Sequence, residues 1–251
     1  MHDSGGGFGS FVSTLFCRWI AARQTARADP ADTARKLVAR MEDDPYGFCY
    51  RLEAEAAKAF GRKGLPAFEQ EVRSRFEAAE GRDYPRRRWG EVLRAILAAR
   101  RDVTAYVEIC ERTGFAPEDC LAIARLLESR GKRDEALAWL ERGLEIDKKA
   151  GRGLKNLELE RMRRAVLGRL GRRDEALDGA WTELCEHPHE FTYQELMQYV
   201  PKMERSRWHA RAMEAADDGE LSSLIGLWLK TREIDRLVAR IRGAADEELE
   251  A

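Results

Sequence analysis

Residues 131–141 read GKRDEALAWLE, and residues 171–181 read GRRDEALDGAW. Both open on Gly-basic-Arg-Asp-Glu-Ala-Leu, forty positions apart, from 131 to 171. An interval of that size is what stacked helix-turn-helix units show. Each residue type has its place in such a unit. Glycine ends one helix, Asp134 or Asp174 caps the next, and Ala-Leu opens the buried face. A helix pair has two apolar faces and covers only one by itself, so its neighbours must cover the other. The expectation is an all-α fold, a right-handed α-solenoid of about six antiparallel helix pairs.

The pattern extends outward from these copies. Turn centres are expected near Gly64, Arg101, Gly131, Gly171, Pro201 and Thr231, roughly 30 to 40 residues apart. All seven prolines fall where a helix should begin or break. Asp29-Pro30 is a helix start, with a capping side chain before a proline in the first turn. Gly64-Leu65-Pro66 is read as a break. Near the N-terminus Ser10 can cap a helix whose apolar residues form two adjacent rows, Phe11, Leu15, Trp19 and Val12, Phe16, Ile20. So short a helix is marginal alone in water, and burial of each large apolar side chain contributes roughly 1.5–3 kcal/mol, so it should be docked. The domain reading is a flexible lead-in at 1–9, one solenoid domain at 10–245 and an acidic tail at 246–251.

Composition agrees with helix and excludes several function classes. Against 35 Ala and 26 Leu there are 25 Val, Ile and Thr together, so helix formers outnumber strand formers. Charged residues make up 35% of the chain, yet 44 basic and 45 acidic residues leave a net charge of −1. No global field draws in nucleic acid or an anionic membrane. Five cysteines, Cys17, Cys49, Cys110, Cys120 and Cys185, show no zinc or redox spacing. They read as reduced thiols, mostly buried, in a cytoplasmic protein. The stretch from Ser4 to Cys17 is too short and too rich in glycine to span a membrane.

Residues 121–147, LAIARLLESRGKRDEALAWLERGLEID, resemble a tetratricopeptide-type repeat: Ala124, Leu127, Gly131, Ala136, Leu140 and Gly143 match its alternation of small and large residues. The second copy matches at Gly171, Ala176 and Pro188, but places Arg163 and Arg164 where packing wants a bulky and a small residue. More of the chain resembles a bacterial helical-repeat family of unknown function often found downstream of a SWIM-type zinc finger. The similar stretches are ARADPADTARKLVARMEDDPYGF, GKRDEALAWLERGL, AWTELCEHPHEFTYQELMQYVPKMERSRWHARAMEAA and ELSSLIGLWLKTREIDRLVARI. The finger itself needs Cys-x-Cys and Cys-x-His. Cys185-Glu-His187 is present and Cys-x-Cys is not, so the resemblance is to the helical part.

Few residues suggest chemistry. Cys185, His187 and His189 gather metal-ligand types, with His209 the nearest fourth; a helix end followed by a turn is the reading preferred. The basic stretches Arg86–Trp89 and Glu160–Arg173 could meet phosphates, but interleaved acids favour solvated helix faces. Trp139, Trp181, Tyr193, Trp208 and Trp228 keep helical spacing with other apolar residues and read as core. No phosphate loop or nucleophile motif occurs. The expectation is a non-enzymatic scaffold or adaptor with no cofactor and no metal, whose partner is another protein. Glu118, Arg125 and Glu128 are read as groove-facing. The alternative is the helical arm of a nucleic-acid-binding, zinc-finger-associated protein.

Overall fold

In the computed structural model, residues 7–44, 47–49, 52–151, 156–217 and 219–243 are described. Among them every regular element is helical, thirteen α-helices and one 3-10 turn, with no strand. The chain packs into two compact units, Met1–Arg130 and Gly131–Ala251, where the sequence reading has one domain at 10–245. The acidic tail at 246–251 lies outside the described residues, as do residues 1–6 of the expected lead-in.

The first unit holds α1 (Gly7–Thr25), α2 (Pro30–Glu42), α3 (Leu52–Ala78), α4 (Asp83–Arg100), α5 (Val103–Thr113) and α6 (Pro117–Glu128). α1 begins at Gly7, ahead of the expected Ser10 cap. Of its two apolar rows, Val12 and Ile20 are buried and Phe16 is half-buried. Phe11 and Leu15 are exposed and Trp19 is half-buried, so it is chiefly the second row that faces inward, onto α3 and α2. At α2 the expected start is present: the Asp29 side chain accepts from the amides of Ala31 and Asp32 at 3.1 and 3.2 Å, and Pro30 follows. Arg23 of α1 then reaches Asp32 and Thr33 at 2.5 and 2.8 Å.

α3 corrects the expected break. Gly64, Leu65 and Pro66 lie inside the helix, and the kink falls at Gly61, with φ 59° and ψ −175°. Only glycine takes that conformation without strain, so the bend settles there and Pro66 is accommodated soon after the restart. The kink folds Phe60 back until its ring stacks on Phe68, centroids 4.7 Å apart. Gln24 of α1 donates to the kink carbonyls of Ala59 and Phe60 at 3.0 and 2.9 Å. The rest of the unit packs in chain order, α2 on α3, α3 on α4, α4 on α5 and α5 on α6, with α4 also touching α6. Phe68, Phe76, Leu93, Ile96, Ile109 and Ile123 are fully buried between these helices.

The second unit holds α7 (Arg133–Ala150), α8 (Leu157–Arg169), α9 (Arg173–Glu186), α10 (Glu190–Tyr199), a 3-10 turn (Lys202–Glu204), α11 (Arg205–Ala216), α12 (Leu221–Thr231) and α13 (Ile234–Gly243). Both copies of the opening motif start helices here, α7 and α9, and they agree in detail. Gly131 and Gly171 have φ of 75° and 81°, the left-handed backbone that ends a helix at glycine. Ala136 and Ala176 are fully buried. Lys132 bonds Glu135 at 2.7 Å, and Arg172 bonds Glu175 at 2.5 and 2.6 Å. The caps differ from expectation: Lys132 and Arg172 hold the N-cap positions without a side-chain bond to the helix amides, and Asp134 and Asp174 lie in the first turn. There a carboxylate still favours the helix, through the positive end of its dipole. The core gathers Leu184, Leu196, Met213, Leu224, Leu227 and Trp228 from α9 to α12. Trp181, Tyr193 and Trp208 rim it, partly buried.

Candidate functional site

α4 has two faces, and the second is the candidate site. Trp89, Val92, Leu93, Ile96 and Leu97 are buried as the helix packs on α3 and α5. Tyr84, Arg87, Arg88, Glu91, Arg94, Ala95 and Ala98 recur every three or four residues, so they form one stripe along the helix. Every residue of this stripe lines a depression, and the three depressions adjoin. The first, about 310 Å3, meets the second, about 390 Å3, at Tyr84 and Arg88. The second meets the third, about 340 Å3, at Glu53 and Glu91. From Tyr84 to Ala98 the helix rises ~21 Å at 1.5 Å per residue. The result is one groove in the first unit.

At the Tyr84 end the phenol is 77% exposed and basic side chains surround it. Arg88 donates to the Met41 carbonyl and lies over the Trp89 ring. Arg82 donates to the Ala78 carbonyl at 2.6 Å, and Arg75 pairs with Glu42 at 2.9 Å. Cys49 lines the groove nearby; burial, and then the charge of Asp44, pushes its thiol up to about 11.

A buried polar knot fixes the far end. The Asp119 carboxylate accepts from the Tyr106 hydroxyl at 2.9 Å, from Arg94 at 3.1 Å and from the Ala116 amide at 2.9 Å. These bonds join α4, α5 and α6, and every donor on the carboxylate compensates its burial. Burial, then the Asp119 charge, raises the Tyr106 hydroxyl far above its ordinary value, so it remains a donor. The same causes push Cys110 up to about 12 and keep that thiol protonated. Glu118 is exposed beside the knot, and Ala54, Ala95 and Ala98 leave room between.

Of the three groove residues expected from sequence, Glu118 lines this groove. Arg125 and Glu128 lie further along α6, exposed and half-buried, outside it. The sequence reading missed Tyr84, Glu91, Ala95 and Ala98. Their signal was the second stripe of α4, in which small residues share a face with charged ones.

Of the first basic stretch, Arg87, Arg88 and Trp89 line the groove; most of the other candidates make structural contacts. In the first basic stretch Arg86 lies over Phe76 and 3.8 Å from Glu80. In the second, Arg163 pairs with Glu160 at 3.8 Å, and Arg164 is 3% exposed with both nitrogens of its fork on Glu195, at 2.8 and 3.1 Å. Burial opposes the Arg164 cation, but the Glu195 bonds and charge outweigh it and raise its pKa. The side chains of this stretch scatter between a core ion pair and exposed positions. His189 is the N-cap of α10, its Nδ1 accepting from the Phe191 and Thr192 amides at 3.1 and 3.2 Å. Thr192 returns a bond, its Oγ1 accepting from the His189 amide. Cys185 is exposed and its thiol raised, chiefly by partial burial. His209 bridges the Tyr193 hydroxyl at 2.9 Å and Glu233 at 3.0 Å. Among the described residues no group of three or more His, Cys, Asp or Glu is placed to hold a metal ion, and no helix is long and apolar enough to cross a membrane.

No curated protein and no solved structure gives a significant match to this chain. A family model does match, over residues 75–224, which takes in the end of α3, the whole of α4 to α11 and the start of α12. That is more than half of the chain, and the protein belongs to this family, described as a family of unknown function, DUF6880.

Proposed function

We propose that the protein is a non-catalytic scaffold or adaptor that holds a segment of another protein along α4. The observation that carries this reading is the groove itself, three adjoining depressions following one helix face. A run of about 21 Å suits an extended segment of about six residues at 3.3–3.6 Å each. Charged side chains line all three depressions, and in the third they alternate with the small Ala54, Ala95 and Ala98, an arrangement by which a partner is oriented as well as held. The two cysteines beside the groove with raised thiols, Cys49 and Cys110, are poor nucleophiles in that state.

The same proposal assigns the helices to tetratricopeptide-like pairs of right-handed solenoid type. Packing in chain order supports it, together with contacts between next-but-one helices, α4 on α6, α9 on α11 and α10 on α12. Stacked pairs characteristically make both kinds of contact.

Filling the groove tests the function. Ala95→Trp with Ala98→Trp places two large rings on its floor while leaving the buried face of α4 untouched. The tagged full chain is expected to retain a specific polypeptide from cells that make it, and the filled variant to lose it at unchanged helical circular dichroism. Equal recovery by both chains would overturn the groove as the binding site.

A further inference from the structure

The two ends of the groove differ in charge, and we propose that the segment it takes is polarised to match, with a carboxylate at the Tyr84 end and arginine or lysine at the Glu118 end. This rests on the groove reading above. Three guanidiniums, Arg75, Arg82 and Arg88, line the Tyr84 end against one carboxylate, Glu42. Glu42 neutralises Arg75 at 2.9 Å. Arg82 and Arg88 are held by backbone carbonyl oxygens, which position a guanidinium without cancelling its charge.

At the far end Glu53, Glu91, Glu118 and Asp119 face one guanidinium, Arg94. Arg94 is committed to Asp119 at 3.1 Å, in a knot that also holds Tyr106. The rim there is left acidic, with Glu91 and Glu118 exposed. Arg82, the N-cap of α4, and Arg94, which holds Asp119 beside Glu118, are ~18 Å apart along the helix, about twice the ~8 Å Debye length at physiological ionic strength, while Arg88 and Glu91 are one turn apart. The outermost charges, Arg82 and Glu118, therefore keep their own signs toward a bound chain. Between them the second depression carries both signs, Arg87 and Arg88 against Asp44, Glu53 and Glu91, so the middle adds little net charge. A partner of the opposite polarity places like charges together at both ends, which opposes binding.

The test uses four fluorescein-labelled, end-blocked octapeptides and the full chain, followed by fluorescence anisotropy. Glu-Glu-Leu-Ala-Ala-Leu-Arg-Arg and its reverse are polarised in the two chain directions. Glu-Arg-Leu-Ala-Ala-Leu-Glu-Arg has the same composition without polarity, and Gln-Gln-Leu-Ala-Ala-Leu-Gln-Gln has no charge. One polarised peptide is expected to bind about fivefold or more tighter than the mixed one, as a few half-exposed ion pairs allow. That advantage should vanish near about 0.5 M salt. Glu91→Arg with Glu118→Arg should remove or invert the preference, and the milder Glu91→Gln with Glu118→Gln should weaken it even if the first variant folds poorly. Equal binding of all four peptides would overturn the polarity and leave the groove standing. Binding of none would overturn both.

Discussion

Arg164 occupies a helix position where close packing calls for a small side chain, and it is 3% exposed. It is tolerated because α9 brings Gly179 against its stem, where a Cβ would lie 3.2 Å from Arg164 Cδ, and α10 brings Glu195 to its fork. Glu183 of α9 stands 3.9 Å away. A buried ion pair gains little over a well-packed apolar pair, but losing one member strands the other. Glu195→Ala is therefore expected to lower unfolding free energy by about 3–5 kcal/mol, and Arg164→Met with Glu195→Leu by clearly less. Urea denaturation of the two variants measures this; equal losses would show that the charge pair is not what the site requires. A single sequence could flag Arg164 as misplaced in a repeat but could not name Glu195, 31 residues on. Tertiary packing alone pairs them. The histidines follow the same logic: Cys185-Glu-His187 and His189 looked like ligands by type, and His189 is a cap by geometry.

At the scale of the element, much was legible because local chemistry decides it. The Asp29-Pro30 start of α2 and the glycine ends at Gly131 and Gly171 follow from capping and from backbone freedom, each set by a few neighbouring residues. Local sequence puts the bend of α3 three residues late, at Gly64, because Pro66 dominates it. Gly61 carries it, with its backbone outside the range of other residues, while Gly64 gives space to the Phe60 ring, 2.8 Å from a Cβ built there. Gly61→Ala is expected to destabilise the chain by about 1–3 kcal/mol, the usual cost of holding a side-chain residue in such a conformation. Thermal or urea unfolding checks it. A neutral or stabilising effect would mean that α3 can run on without the bend. The second stripe of α4 shows the opposite limit: its spacing is readable in sequence, but that it stays uncovered depends on where α3, α5 and α6 lie.

For the whole molecule, the all-helical class was legible from forty-residue repetition and an excess of helix formers, whereas the division into two units was not. Gly131 and Gly171 open nearly identical motifs, yet one lies at the boundary between units and the other inside the second. The motif specifies a turn; which helices pack beyond it depends on faces spread over a hundred residues. The candidate site was legible in part, at Glu118 and in the basic stretch that holds Arg87 and Arg88, since the expected groove lies on α6, while the stripe of α4 runs the length of the groove. Membership in DUF6880 spans both units, and the groove lies in the first.

Adjacent positions on α4 test that groove most directly. Ala98 lines it, and Ala99, one residue on and about 100° around the helix, is exposed but does not. With a photo-reactive benzoylphenylalanine at one position or the other in the full chain, irradiation in cells should cross-link a discrete polypeptide from position 98 and not from position 99. Cross-linking that is equal from the two positions, or absent from both, would contradict a partner seated along this face.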